Sequence, residues 1–354
     1  MAIKLIFVSL FFGSISQAQV YGFNAVPTSD KTQGSITEVT NLQPVMSQDS
    51  LGVCYAYAAS TMLSAENCRY QKTDCTKIEN KDIFSPIALT KYSTIENGEM
   101  SYGAGAKIDG GSAANVMQLI AYQTHSAPSE ECVSLDKILS KIGGAKDATD
   151  IQTAAWEKLE KTYDKYQSLK KECPTCAADF FATAKDEINQ NFEIKSSNED
   201  MLKAFGKETY SEFVAKLFFP PECSRAKNSA FFEAKDVKVG FYPETGKKGD
   251  YAGTLKQIKK TLGEKRPLAL GNICLDEKPS NKNCKNQHQV VVSGYRKVCN
   301  SQNKCYDAIK IVNSWGQSWQ SANSDGWVDA KQLLDRTYYK DATLTYFEDK
   351  AVTQ

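Results

Sequence analysis

Gln48-Asp49-Ser50-Leu51-Gly52-Val53-Cys54-Tyr55-Ala56-Tyr57-Ala58-Ala59-Ser60 is the most informative run in the chain, and the cysteine at its centre is the residue the rest must explain. Turn formers at Asp49, Ser50 and Gly52 give way to small and apolar residues at helical spacing, Ala56, Ala59, Met62 and Leu63. That pattern predicts that Cys54 opens a helix. A helix N-terminus carries unpaired N–H groups and a partial positive charge, and both favour a thiolate over a thiol. A cysteine so placed is either a nucleophile or an inert member of a core helix. The residues that would serve a nucleophile decide between the two.

A thiol nucleophile needs a base, and the 354-residue chain has 2 histidines. His125 lies in the polar run Gln-Thr-His-Ser-Ala-Pro, which reads as a surface loop. His288 precedes Val290-Val291-Val292 and Ser293-Gly294-Tyr295, a strand and its closing turn. Further on comes Ile309-Lys310-Ile311-Val312-Asn313-Ser314-Trp315-Gly316, followed by Trp319 and Asp325-Gly326-Trp327.

These segments, in this order, resemble papain-like cysteine proteases. Gln48 stands six positions before Cys54, the Gly52-Val53-Cys54-Tyr55 run matches the family's nucleophile signature at Gly, Cys and the aromatic, and Asn313-Ser314-Trp315-Gly316 matches its Asn segment. The resemblance implies an α+β, papain-like two-domain fold with a helical left domain and a β-barrel-like right domain. It also implies the roles: Cys54 as nucleophile, His288 as acid and base, Asn313 orienting its ring under the Trp315 indole, and Gln48 as an oxyanion donor. Peptide or protein would be the substrate, with no metal or organic cofactor. Gly110, Gly111, Gly271, Gln287, Gln289 and Trp315 are the matching substrate-binding positions; Gly111 would offer backbone to an extended substrate, and Gln289 would border the pocket for the second residue before the cut.

One feature departs from the family. Its His and Asn follow the Cys by about 130 to 150 residues, whereas here the separation is longer by roughly 100. A helical insertion is therefore expected, and the composition supplies one. From Val133 to about Ala234 the chain is rich in Lys and Glu, with apolar residues stepping by three or four: Ile151, Ala155, Leu159, Tyr163, Tyr166 and Leu169, then Phe181, Ala184, Ile188 and Phe192, then Met201, Leu202 and Phe205 after a capping Ser196-Ser197-Asn198-Glu199. The expected organisation is a signal peptide over 1–18, a mainly helical domain over 19–132, the insertion over 133–235, and the barrel-like domain over 236–354. The insertion would limit access to the cleft, dock a partner or simply decorate the fold.

The signal peptide is read from Lys4, the apolar run Leu5 to Phe12, and small residues before a cleavage site near Ala18. It predicts a secreted protein, extracellular or periplasmic, with too few residues before Gln48 for a long inhibitory propeptide. The apolar run is too short for stable membrane insertion. With 43 basic against 42 acidic residues there is no electrostatic case for nucleic acid or an anionic membrane.

Eleven cysteines leave one unpaired if the others are bridged, and Cys54 is the natural odd one. Local loops suggest Cys68 with Cys75, Cys274 with Cys284, and Cys299 with Cys305, while Cys132, Cys173, Cys176 and Cys223 would staple the helical segment, although spacing does not fix connectivity. Cys173-Pro174-Thr175-Cys176 is alternatively a redox or zinc motif. The family's bridge between the active-site loop and the Gly-Gly segment falls at Leu51 and Ile108, so an apolar contact is expected in its place. Two other functions fit the same residues: an acyltransferase on this fold, and a non-catalytic binding protein that uses the helical insertion.

Overall fold

The computed structural model describes residues 23–96, 99–101, 105–145, 150–276, 284–337 and 343–350, and the expected signal peptide, residues 1–18, lies outside them. Helix and sheet are mixed along the chain. First come β1 (Lys31–Glu38), α1 (Cys54–Gln71), α2 (Ala113–Leu119) and β2 (Ser126–Pro128). After a single helical turn (Leu135–Ile138) come four longer helices, α3 (Asp150–Glu172), α4 (Pro174–Asn191), α5 (Asn198–Phe205) and α6 (Tyr210–Phe218), and then β3 (Ser229–Phe231) and β4 (Val237–Tyr242). The remainder is α7 (Tyr251–Gly263), β5 (Leu268–Cys274), β6 (Gln287–Cys299), β7 (Cys305–Val312), α8 (Gly316–Ala322), β8 (Trp327–Asp329), α9 (Ala330–Leu334) and β9 (Leu344–Asp349).

The chain carries no charge from Cys54 to Ala65, and a helix apolar on every side is stable only when packed on every side. Accordingly α1 is buried from Cys54 through Cys68. Its far end meets its first charge, Glu66, which is 2% exposed and accepts from Arg266 Nε and Nη2 at 3.2 Å each. Arg266 also reaches Asp349 on β9, so the ion pair fastens the helix to the sheet. The helix ends where Lys72 turns left-handed (φ 59°) and Thr73 N–H donates back to Cys68 O.

Every strand pairing in the main sheet is antiparallel, in the order β8-β7-β6-β5-β9-β4, with β1 added to β6. The expected barrel is not what forms: among the described residues the sheet is open. The cause is local. A register break between Val292 and Gly294 bends β6, so its first half pairs with β5 and its second half with β1. β1 takes no second partner strand and the circuit stays open.

β2 and β3 pair with each other, Ser126 opposite Phe231 and Pro128 opposite Ser229, so the chain returns from α3–α6 to the place it left. Ser197 and Thr209 cap α5 and α6 with their hydroxyls. Trp156, Tyr163 and Tyr166 of α3 pack against Phe192, Phe205, Phe213 and Phe218. Ile151 and Leu202, read into the apolar stripes, instead face solvent at 65% and 42% exposure, because the buried lines run through their neighbours Gln152 and Met201. The aromatic core of these helices is continuous with Leu51, Val53 and Tyr57 beside the start of α1.

Ten cysteines form five disulfides, Cys68–Cys75, Cys132–Cys223, Cys173–Cys176, Cys274–Cys284 and Cys299–Cys305, and Cys54 is the free one. No helix among the described residues is long and apolar enough to cross a membrane.

Candidate active site

Cys54 is the first residue of α1, with Val53 as a cap that offers no side-chain hydrogen bond. Only 9% of it is exposed, and burial pushes its thiol up to about 11, against the pull of N–H groups of Gln289, Tyr55 and Cys54 itself. The thiolate preference expected of a helix start is therefore outweighed by desolvation. Gln289, whose N–H is among the groups pulling the thiol down, is one residue from His288 on β6.

Antiparallel pairing of β6 with β7, Val291 opposite Val312, brings His288 beside Asn313 at the end of β7. His288 Nε2 and Asn313 Oδ1 are 2.8 Å apart, and the Trp315 indole stacks on the imidazole with centroids 4.7 Å apart and planes at 24°. Phe23 meets the imidazole, Trp315 and Trp319 edge-on. So enclosed, His288 has its pKa pushed down to about 4 by desolvation, with the Asn313 bond pulling the other way. Among the described residues no hydrogen bond joins the Cys54 thiol to the His288 ring, and such contacts commonly tighten only when substrate arrives. Gln320 of α8 fixes Asn313 from behind: its Nε2 donates to Ile311 O at 2.7 Å and its Oε1 accepts from Asn313 N–H at 3.4 Å.

The loop before Cys54 and the loop after Asn313 are sewn together by backbone. Ser47 bridges Trp315, Gln48 N–H donates to Ser314 O at 2.8 Å, and Gly316 N–H donates to Met46 O at 3.3 Å. The Gln48 side chain is held at both ends, its Nε2 donating to Leu51 O at 2.6 Å and its Oε1 accepting from Ser314 Oγ. Asp49, next in line, has left-handed backbone (φ 56°) and accepts from Trp156 Nε1 of α3 at 2.9 Å.

On the other flank, Gly52 N–H donates to Ile108 O and Gly110 N–H to Gly52 O, at 2.9 and 2.8 Å. Leu51 and Ile108 lie in one apolar cluster, as expected for positions that lack the disulfide. A Cβ on Gly111 would collide with the Tyr55 ring and Ser93 Oγ, which is a reason for glycine there apart from any substrate. Gly271 lies beneath the Gln289 side chain, and a Cβ there would come within 3.3 Å of Gln289 Nε2. Gln287 is exposed and pairs across to Cys274, while His125 is exposed at the end of a helical turn, away from these groups. Phe23, Gln320 and the Trp156–Asp49 pair carry no sequence signal; Ser314 could have been taken from the Asn-Ser-Trp-Gly segment.

Cys274, Asp276 and Cys284 present ligand-type atoms within 4.8 Å of one another, but both cysteines are spent in a disulfide, as are Cys173 and Cys176.

No protein-family model matches the chain, and no curated protein does. Solved structures that superpose on it include SERA5E from Plasmodium falciparum, 13% identical over 89% of this chain and 93% of that one, with a TM-score of 0.41. Another is the bromelain protease from Ananas comosus in complex with the E64 inhibitor, 10% identical over 90% of this chain and 99% of that one, with a TM-score of 0.39. Likeness at this level defines neither a fold family nor an activity.

Proposed function

We propose that the chain is a secreted, papain-like cysteine peptidase. The observation that carries the reading is a buried, unbridged Cys54 at a helix start together with the His288–Asn313 hydrogen bond under Trp315. In mechanism, Asn313 Oδ1 accepts the Nε2 proton, so the neutral imidazole offers Nδ1 as the base. Proton transfer from Cys54 to His288 leaves the pair without net charge, which suits a site where each group alone resists ionising. The thiolate adds to the peptide carbonyl; the Cys54 N–H and the second amide hydrogen of Gln48 hold the oxyanion. His288 protonates the leaving amine, water then hydrolyses the thioester with His288 as base, and the thiol is restored. The five disulfides accord with folding in an oxidising compartment.

Labelling with a peptidyl epoxide, followed by mapping of the modified residue, tests the reading. Modification confined to Cys54, lost in His288→Ala and accompanied by peptide hydrolysis, is the expected outcome. A protein that neither takes the label nor cleaves peptides is not a peptidase.

A further inference from the structure

The helical segment between β2 and β3 meets the active-site loop at a polar point. Trp156 Nε1 donates to Asp49 Oδ2 at 2.9 Å, 107 positions away in sequence and buried on both sides. The indole has no freedom of its own, since Phe192 and Phe218 pack on it at centroid distances of 4.8 and 5.6 Å. Asp49 is the residue after Gln48 and sits at φ 56°, a backbone state that costs a residue with a side chain and that Asp tolerates better than most. Its other carboxylate oxygen, Oδ1, is buried without a hydrogen-bond partner among the described residues, so the indole is the one side chain that holds the carboxyl, beside the N–H of the adjacent Ser50.

We propose that this hydrogen bond is a tether by which the helical segment aims the Gln48 side chain, making Trp156 a positioning residue for the reaction at Cys54. Rotation of the Asp49 backbone would swing Gln48, whose amide has to meet a developing oxyanion, and a misplacement of this kind costs roughly 10- to 100-fold in turnover. The helices then act as a buttress for the oxyanion loop.

The inference rests on the peptidase reading, and a double-mutant cycle keeps the two apart. Trp156→Phe keeps the ring and removes the donor; Asp49→Gly takes up the left-handed backbone without needing a tether. The expected result is that Trp156→Phe lowers kcat roughly 10- to 100-fold with little change in KM, yet leaves the rate of Cys54 alkylation by iodoacetamide unchanged, since alkylation uses no oxyanion donor. In the Asp49→Gly background the same change should have no further effect on kcat. Equal losses in both backgrounds, an unchanged kcat, or a parallel fall in alkylation would each overturn the tether. Failure of the peptidase reading looks different, because the parent protein itself would not turn over peptide. The tether is then read from urea midpoints, where coupling between the two substitutions supports it and strict additivity overturns it.

Discussion

His288 Nε2 stands 2.8 Å from Asn313 Oδ1, and both residues are almost wholly buried. The amide oxygen can only accept, so it fixes which ring nitrogen carries the proton and holds the imidazolium once it forms. A hydrogen bond to a charged group is worth about 1.5 to 3 kcal/mol, so Asn313→Ala is expected to lower kcat/KM roughly 10- to 150-fold. Steady-state rates on a peptide substrate check this, and unchanged rates would show that the ring needs no such partner.

Cys54 and His288 are both pressed toward neutrality, to about 11 and about 4. Ionising alone, the thiol would yield about tenfold more thiolate per pH unit up to its raised value; only an attraction between thiolate and imidazolium strong enough to offset both shifts lets the nucleophile arise by proton transfer within the pair, which exchanges nothing with solvent. Alkylation of Cys54 by iodoacetamide should then run level through neutrality, falling on the acid side as His288 takes up a proton of its own and climbing on the alkaline side as free thiolate appears. A rate rising tenfold per pH unit through neutrality would mean that the thiol titrates alone.

Glu130 is 6% exposed, and burial pushes its pKa up to about 8, with Ser134 and Lys137 opposing. The folded protein binds this proton more tightly than the unfolded chain does. Its contribution to stability is thus complete below the unfolded carboxyl value, about 4.3, and is lost as pH rises through about 8. Glu130→Gln imitates the protonated side chain, so its melting temperature relative to the parent should rise steadily from acid to alkaline pH. A flat difference would place a charged Glu130 in the fold throughout.

Removing Arg266 leaves Glu66 buried with only Arg69 beside it. Breaking a buried pair on one side typically costs about 3 to 5 kcal/mol, and Arg266→Leu is expected to destabilise by that order in urea unfolding. The double substitution Glu66→Leu/Arg266→Leu should recover much of the loss. A double variant no better than the single would assign the effect to packing.

Thiol titration of the denatured, unreduced protein should find a single reactive group, at Cys54. Three or more would break the five-bridge framework and return Cys173 and Cys176 to metal or redox chemistry.

What could be read from the chain was what local chemistry writes down. Turn formers ahead of an uncharged apolar run marked the start of the Cys54 helix, consecutive valines marked the His288 strand, and close spacing suggested three of the bridges. What could not be read depends on contacts across long separations. Ser293-Gly294 reads as a turn that closes the strand, whereas β6 bends there and runs on to Cys299, and nothing near Trp156 in sequence marks its indole as the partner of Asp49. At Cys54 the N–H groups pull the thiol down as a helix start should, but burial outweighs them: a helix terminus is visible in sequence, whereas the amount of water removed around it is not.

The helical segment leaves and re-enters the sheet region through the β2–β3 pair, and Cys132–Cys223 crosses that same doorway. A protease that nicks anywhere between those two cysteines therefore releases nothing. The two pieces stay covalently joined and migrate as one species on a gel until a reductant is added. Damage to these helices would in this way be silent to any assay of size run without reductant.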